Sequence, residues 1–340
     1  MSYMLKISDS VSVNILQAGY GDSIFISIKR GDLIFNILVD GGLASTYNNA
    51  KERRNPAGPL KALLSKMNEE GNHIDLIICT HVDDDHIGGI RKWFETDFPT
   101  ADFVKAIWMN DDIMIDDRRD LNNTSEHAAS VIKKMKINAI GYQNGIVKGF
   151  SRHNDFCTIN VLAPSVENHN IIAHDIHLSL DNASSDDGNS NKSFKQLVEE
   201  DWIMVENTDE NDASIAFELI SWDGTKLLML GDASYQDYMD GLNLFYPNKD
   251  ELIKYDMVKL SHHGSKNNFH PEFLKRVYSP VYIVSTNGLK FKHPNKEVLA
   301  HIMCNSESTI MFNYKERMQQ LITEQDRAEF PNIDNRIKAL

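Results

Sequence analysis

Two histidines and three aspartates lie within six consecutive residues, in the segment His81-Val-Asp-Asp-Asp-His86. Carboxylates this close together repel one another and raise one another's pKa unless a positive charge lies among them. A divalent cation supplies that charge, because zinc and related ions readily bind imidazole nitrogen and carboxylate oxygen. A tight loop can aim its side chains at two adjacent ions. His81 and Asp83 are therefore predicted to bind one ion, and Asp85 and His86 the other.

Two later segments place further metal-binding side chains after apolar runs. Asp232 follows the run 226–230, where a lone carboxylate can bridge two metals, and His262 and His263 follow the run 258–260. Each segment alone is a weak signal, since Gly-Asp turns and histidine pairs are common. Together with the first motif they predict a dinuclear metal site. The alternative is a solvated acidic loop with incidental histidines.

The elements that position these residues are predicted from β-branched and aromatic runs separated by turn residues. Strands are predicted at 11–19, 23–30, 33–40, 73–80, 103–109, 156–164, 214–221, 226–230, 258–260 and 281–285. A helix is predicted from 56–59 onward, and Gly88, Gly89 and the segment that follows them indicate a second helix that starts just after the loop 81–89. Strands, then alternating strands and helices, then strands again predict two sheets packed face to face with helices outside.

The domain prediction is one domain over residues 1–340, with two appended segments. Residues 165–212 form a polar acidic insertion that can act as a lid, and residues 310–340 form a helical C-terminal extension. The hydrophobic fraction of 41% is ordinary for a globular protein, which excludes global disorder. The three cysteines, Cys79, Cys157 and Cys304, are too few for a disulfide framework. With no signal peptide or apolar membrane span in the sequence, the expected location is the cytoplasm.

The net charge of −14 argues against a broadly basic surface for nucleic acid. Residues 175–212 hold eleven Asp and Glu against two Lys, so this stretch alone contributes −9. Binding of a polyanion is therefore expected to be local and metal-dependent. A phosphate-binding rim can form from Lys51, Arg53, Arg54, Lys266, Lys290 and Lys292, although scattered solubilising lysines are an equal alternative. No run of aromatic and basic residues marks a platform for single strands.

Seven separate segments, in order, resemble the metallo-β-lactamase superfamily, and within it the hydrolase domain of ComEC-type competence DNA-uptake proteins. They include the opening segment 14–23, the segment Ile37-Leu-Val-Asp-Gly-Gly42 and the variant core motif His-x-Asp-x-Asp-His at 81–86. Asn211-Asp-Ala-Ser214, Leu230-Gly-Asp232, His262-His-Gly-Ser265 and His293-Pro294 follow. The resemblance implies an αββα sandwich with a dinuclear site at one edge.

The resemblance also assigns a role to each matching residue. His81 and Asp83 would hold the first metal, Asp85, His86 and His263 the second, and Asp232 would bridge the two ions. His262 would lie beside the site and donate to the substrate's oxyanion or leaving group. Asp22 and Asp40 would orient ligands, and His293 would contact a phosphate.

The sequence departs from the resembled proteins in two respects. The membrane channel that accompanies this domain in competence proteins is absent, so DNA uptake is not inferred. The third histidine of the superfamily's first metal site has no clear counterpart, and Asn211 stands near that position. An oxygen-rich first site shifts the expected metal from zinc alone towards manganese.

The predicted function is metal-dependent hydrolysis of a phosphodiester, as a phosphodiesterase or nuclease, by a hydroxide that two divalent ions (Zn or Mn) activate. Asp85 would orient this hydroxide besides binding the second metal. The expected partner is nucleic acid or a nucleotide-containing phosphodiester, with no membrane. One alternative is a small-molecule hydrolase for a phosphate ester, thioester or lactam. Another is a metal-binding interaction module without turnover.

Overall fold

Two large mixed sheets contain most of the strands that position the predicted site. The computed structural model describes residues 2–49, 56–97, 99–110, 131–168, 191–203 and 213–340. The first sheet has seven strands in chain order, and they are β1 Ser2–Lys6, β2 Val11–Leu16, β3 Ile24–Arg30, β4 Leu33–Val39, β5 Leu76–Cys79, β6 Ala106–Met109 and β7 Gly141–Gln143. Neighbouring strands from β1 to β4 are antiparallel, and those from β4 to β7 are parallel.

The second sheet repeats this change from antiparallel to parallel pairing. Its eight strands are β8 Ser151–His153, β9 Cys157–Ala163, β10 Ala216–Ser221, β11 Lys226–Met229, β13 Met257–Lys259, β15 Val281–Val284, β16 Thr309–Phe312 and β17 Ile337–Ala339. Their spatial order is β17-β16-β15-β13-β11-β10-β9-β8, and pairing becomes parallel from β11 to β17. The short strands β12 Ile253–Lys254 and β14 Val277–Tyr278 pair separately.

Helices connect the strands and cover the outer faces of both sheets. The α-helices whose two ends both lie in the described residues are α1 Ala44–Tyr47, α2 Pro59–Glu69, α3 Asp84–Thr96, α4 Phe194–Val198, α5 Tyr235–Phe245, α6 Phe273–Arg276, α7 Lys296–Asn305, α8 Lys315–Leu321, α9 Glu324–Glu329 and α10 Ile333–Arg336. In the part of the chain that the structure describes, no helix combines the length and apolar character needed to cross a membrane.

Three buried apolar clusters define the layers. The central cluster joins side chains of the two sheets, such as Val13 and Ile26 from the first and Phe217 and Met229 from the second. A second cluster packs α2 and α3 on the outer face of the first sheet. A third packs α5 and α7 on the outer face of the second sheet. Because each sheet alternates inward and outward side chains, both faces bury apolar residues. The predicted αββα sandwich is confirmed.

The C-terminal residues differ in part from the predicted helical extension of 310–340. Helices α8, α9 and α10 lie there, but β16 pairs with β15 and β17 pairs with β16, which completes the second sheet. Because β16 and β17 pair in parallel, the chain between them must cross over to the starting edge of the sheet, and the three helices form this crossover. The predicted insertion or lid at 165–212 lies largely outside the described residues, so it stays a prediction.

Parallel pairing places the predicted site residues together. β4, β5, β11, β13 and β15 end immediately before residues 40, 80, 230, 260 and 285, where the metal-motif loops begin. The carboxyl ends of parallel strands lie at one edge of a sheet, and the loops that follow them converge there.

Candidate metal centre

The first metal motif spans the turn after β5 and the first residues of α3. Asp83 is extended and caps α3 without a capping hydrogen bond from its side chain, and its carboxylate lies beside His81. Asp84 points outward, 59% exposed, and its carboxylate lies 3.4 Å from the Arg91 guanidinium. Asp85 and His86 lie in the first helical turn, and the His86 side chain is buried. The Asp84 side chain therefore points away from the site, whereas those of Asp83 and Asp85 lie beside it.

The prediction that this helix starts after Gly88 and Gly89 is wrong, because α3 starts at Asp84. The glycines are there for packing. A Cβ atom at Gly89 would lie 2.0 Å from the carbonyl oxygen of Gly41. Only a glycine lets the helix approach the loop after β4 this closely, and that approach places His86 beside Asp40.

Asp232 is the centre of the cluster. Its side chain is buried, and its Oδ2 atom faces the Nε2 atoms of four imidazoles. The distances are 3.3 Å to His86, 3.8 Å to His262, 3.9 Å to His263 and 4.0 Å to His81. These histidines come from two segments more than 170 positions apart in the sequence, and the fold aims all four at one oxygen atom.

Hydrogen bonds on the far side of three rings fix where their protons lie. His86 Nδ1 lies 2.9 Å from Asp40 Oδ2, and His263 Nδ1 lies 2.7 Å from the Ser285 carbonyl oxygen. Both partners are acceptors only, so each Nδ1 atom is the donor. In the neutral ring, the Nε2 atom that faces Asp232 then carries a lone pair. Metal-bound histidines are oriented in this way by their outer partners.

Asn268 fixes the third ring, that of His262. Its amide nitrogen donates to the carbonyl oxygens of Asp232 and Ala233, at 2.9 and 3.2 Å. Its Oδ1 atom therefore faces His262 Nδ1, 3.0 Å away, and accepts a hydrogen bond from the N–H group there. The neutral His262 ring also presents an Nε2 lone pair to Asp232.

Lone pairs that converge on a carboxylate need a cation between them. Buried atoms that lack a hydrogen-bond partner include His86 Nε2, His263 Nε2 and Asp232 Oδ1. Unsatisfied buried polar atoms are rare in folded proteins and call for an explanation such as an ion. Imidazole nitrogen and carboxylate oxygen are the donor types that zinc and manganese bind. The residues present therefore fit a divalent metal.

The charges within the cluster support the same conclusion. Burial opposes charge on His86, but the Asp232 and Asp40 carboxylates raise the pKa of its imidazole well above the usual value. Burial opposes ionisation of Asp232, yet His86, His262 and His263 hold the pKa of its carboxyl well below the usual range. Burial and the neighbouring His86 lower the pKa of His81 to about 3. The cluster thus favours a negative Asp232 with positive charge beside it, which is the distribution a divalent ion supplies.

The remaining predicted ligands lie around this centre. His81 Nε2 lies 3.8 Å from Asp83 Oδ2, and His86 Nε2 lies 4.0 Å from Asp85 Oδ2. This pairing is the one that the motif predicted for two ions, but their assignment to individual metals stays a prediction. Asn211 and the basic residues Lys51, Arg53 and Arg54 lie outside the described residues.

Asp40 and Asp22 take different positions behind the ligands. Asp40 adopts a left-handed backbone (φ 57°), and its carboxylate accepts hydrogen bonds from the Thr80 amide and hydroxyl, both at 2.7 Å. Asp22 can be grouped with His86, Asp232 and His263 as a fourth ligand. However, its carboxylate faces Nδ1 of His263 at 3.5 Å rather than Nε2. We therefore place Asp22 behind His263.

Lys259 lies beside the site, although no motif in the sequence marks it as a site residue. Its ammonium lies 2.5 Å from Asp22 Oδ2, and both side chains are almost fully buried. Burial opposes ionisation of Asp22, but Lys259 and His263 lower the pKa of its carboxyl. The feature of the sequence that could have indicated this role is a lysine at the end of the otherwise apolar strand β13. Asn268 and Ser285 were missed as well, because their roles depend on contacts that only the fold creates.

His262 and His263 lie in a turn with unusual backbone angles, φ 44° and 56°. Residues other than glycine rarely adopt positive φ angles, and those that do tend to cluster at functional sites. The turn lets both neighbouring rings face Asp232.

The ring centroid of His293 lies 5.0 Å from that of His262, and His293 Nδ1 is buried without a hydrogen-bond partner. Of the predicted basic rim, Lys266 pairs with Glu297 at 3.4 Å.

Comparison of the sequence with known proteins identifies a matching family model and a similar protein. Residues 20–102 match the family model described as "Metallo-beta-lactamase superfamily". The chain is 23% identical over 330 residues to ComE operon protein 3 of Bacillus subtilis (strain 168), a match that covers 92% of this chain and 34% of the relative. The chain thus spans about a third of that relative's length. The predicted resemblance to the superfamily and to ComEC-type domains is confirmed.

Two solved structures are also similar, each at 11% identity. One is a possible metal-dependent hydrolase from Veillonella parvula DSM 2008, with a TM-score of 0.41 over 100% of this chain and 96% of that one. The other is the metallo-beta-lactamase fold protein YhfI from Bacillus subtilis, with a TM-score of 0.44 over 89% and 97%.

Proposed function

We propose that this chain, whose residues 20–102 match the metallo-β-lactamase superfamily, is a two-metal phosphodiesterase that cleaves a nucleic acid backbone. The observation that carries the proposal is the convergence of four imidazole Nε2 atoms on the buried Asp232 carboxylate. The match to ComE operon protein 3 along 92% of the chain supports a ComEC-type hydrolase domain over other members of the superfamily.

His81 and Asp83 would hold one ion, Asp85, His86 and His263 the other, and Asp232 would lie between them. A bound pair of divalent ions activates water and neutralises charge on the attacking and leaving oxygens of a phosphoryl group. The mixture of nitrogen and oxygen ligands suits zinc or manganese. Asp40 and Ser285 accept hydrogen bonds from the Nδ1 atoms of His86 and His263, so in the neutral rings Nε2 is the atom that would bind a metal.

His262 is the proposed proton carrier. Burial lowers the pKa of its imidazole, so the ring is neutral near pH 7 and its Nε2 atom accepts a proton. This atom takes the proton that the attacking water loses when its oxygen bonds to phosphorus. The Asp232 carboxylate, 3.8 Å away, stabilises the resulting imidazolium. His262 then donates the same proton to the leaving oxygen as the phosphorus–oxygen bond breaks. Its donor role therefore follows an acceptor role.

The test compares two adjacent carboxylates. Metal-stripped protein is incubated with bis(p-nitrophenyl) phosphate and with single- and double-stranded DNA, and manganese, zinc or magnesium is added back. Asp85→Ala should lower turnover about 100-fold or more, because the substitution removes a ligand rather than an outer partner. Asp84→Ala is the matched control, since Asp84 points outward, and should keep full activity.

Each outcome has a defined meaning. Metal-dependent cleavage of DNA and of the small diester supports the proposal. Cleavage of the small diester alone keeps the phosphodiesterase and removes the nucleic acid substrate. An Asp85→Ala protein with native circular dichroism and full activity would show that the assignment of Asp85 is wrong. Tight metal binding without hydrolysis of either substrate would favour an interaction module instead.

A further inference from the structure

Two loops that border the metal centre bring two aromatic rings and a lysine together. Tyr20 lies before Asp22, and Phe291 lies before His293. Their rings pack edge to face, with centroids 5.9 Å apart and planes at 89°. The Lys290 ammonium lies 4.3 Å from the Phe291 ring centroid and 5.3 Å from that of Tyr20. Both rings are partly exposed, and Lys290 is exposed.

The cluster is continuous with the metal centre. The Phe291 ring lies 6.1 Å from the His293 ring at an interplanar angle of 25°, and 6.4 Å from the His262 ring. His262 Nε2 in turn lies 3.8 Å from Asp232 Oδ2. A ligand with a phosphate at the metal centre would thus have Phe291 within reach of its next group.

Helix α8 and the residue before it hold both loops in place. The Tyr314 hydroxyl accepts a hydrogen bond from the Gly19 amide at 2.7 Å. The Arg317 guanidinium donates to the His293 carbonyl oxygen at 2.8 Å and also to the Lys292 carbonyl oxygen. The Asn287 amide donates to the Gly19 carbonyl oxygen at 2.9 Å and ties the loops to each other. The rings are therefore positioned before any ligand arrives.

We propose that Tyr20, Phe291 and Lys290 form a platform that binds an unpaired nucleobase and its phosphate next to the scissile bond. This inference rests on the proposed phosphodiesterase function and names its substrate as a single-stranded nucleic acid. An aromatic ring accepts any base by stacking, and a nearby cation attracts the backbone. In a chain of net charge −14, binding of a polyanion requires a local positive group of this kind. Bases within a duplex are stacked on each other and would not engage the platform.

The structure offers a matched control pair of the same chemistry. The Arg30 guanidinium lies 5.7 Å from the ring centroid of Trp222, whose side chain is 49% exposed. Trp222 precedes β11, whereas Asp232 follows it, so this pair lies at the opposite end of the strand. Trp222→Leu removes an exposed aromatic ring of comparable surroundings without touching the proposed platform.

The experiment measures binding rather than turnover. Fluorescence anisotropy reports the affinity of the metal-loaded full chain for a phosphorothioate-linked oligothymidylate, which resists hydrolysis, and for an abasic oligomer of equal length. Phe291→Leu should weaken binding of the oligothymidylate about 5- to 150-fold, the effect expected for one stacked base. Binding of the abasic oligomer should change less than about twofold, because phosphate contacts remain. Trp222→Leu should change neither affinity.

Lys290→Met tests the phosphate contact separately. It should weaken both oligomers and lower the slope of log affinity against log salt concentration by about 0.7. Tyr20→Leu is the second ring variant, in case Phe291→Leu does not fold by circular dichroism. Equal losses for the two oligomers in either ring variant would overturn the proposal, as would an equal effect of Trp222→Leu.

Failure of the platform and failure of the proposed function are distinguishable. If bis(p-nitrophenyl) phosphate is hydrolysed but the ring variants bind the oligothymidylate normally, the platform is wrong and the phosphodiesterase stands. If base-dependent binding is lost in the ring variants but neither the diester nor DNA is cleaved, the platform stands and the chain is a binding protein. Duplex binding as tight as single-strand binding would also overturn the platform.

Discussion

Replacing Lys259 by methionine would leave the Asp22 carboxylate buried without its cation. The two side chains are 1% and 3% exposed, and their charged atoms lie 2.5 Å apart. Removing one partner of a buried ion pair costs about 3–5 kcal/mol, because the other charge is left without compensation. His263 Nδ1, 3.5 Å from Asp22, would compensate in part, which places the expected loss near the lower end of that range.

The magnitude converts into a melting temperature. For a chain of 340 residues, a loss of about 3–5 kcal/mol in the free energy of unfolding, divided by the entropy of unfolding, lowers the melting temperature by about 4–7 °C. We expect this decrease for Lys259→Met in the metal-stripped protein, measured by urea unfolding and calorimetry in the presence of a chelator. Removing the stranded charge with the double substitution Lys259→Met, Asp22→Asn should recover about half of the loss or more.

The control uses an exposed pair. Lys275 and Glu272 lie 2.7 Å apart but are 75% and 53% exposed, so Lys275→Met should leave stability nearly unchanged. The reasoning is refuted if Lys259→Met unfolds at the same urea concentration as the unmodified chain. It is also refuted if the double variant is less stable than Lys259→Met, since the stranded carboxylate would then not be the cause.

Three further predictions concern the metal centre. Asp40→Asn should weaken metal binding about 10- to 100-fold in a chelator competition, because it removes the carboxylate that orients His86, and unchanged affinity would contradict this role. The pKa values of His86 and His263 are raised in the fold, so their stabilising contribution in metal-stripped protein is complete below about pH 6.5 and is lost as pH rises through the raised values. Calorimetry should show melting temperature falling above that pH while metal affinity rises, and the opposite trends would refute the linkage. Gly89→Ala places a Cβ atom 2.0 Å from the Gly41 carbonyl oxygen and should lower both stability and metal content, measured by unfolding and metal analysis; a normal metal content would show that this packing does not position His86.

Much of the fold and the centre of the site could be predicted from the sequence. Period-two patterns such as that of β2 identify strands without knowledge of their neighbours, because alternate side chains face the core. The segment 81–86 predicts a metal site without the other motifs, because two imidazoles and three carboxylates within six residues need a cation among them. Asp232 and the pair His262 and His263 were predicted as further ligands because each follows an apolar run, and these weak signals gained weight only together with the first motif.

The start of α3 and the C-terminal strands could not be predicted in this way. Gly88 and Gly89 look like helix breakers in a sequence, and only the approach of the helix to Gly41 shows why glycines lie inside it. Strand β17 is three residues long, too short for its own pattern to identify it. Its place in the sheet depends on pairing with β16.

The sequence by itself determined which side chains could bind a metal and which segments could be buried strands, because ligand types and apolar periodicity are local properties of the chain. Tertiary structure alone decided how those side chains are arranged. The Lys259–Asp22 pair and the contact between Tyr20 and Phe291 join residues more than 230 positions apart. No local pattern encodes such contacts, since they arise only when the carboxyl ends of strands from two sheets meet at one edge.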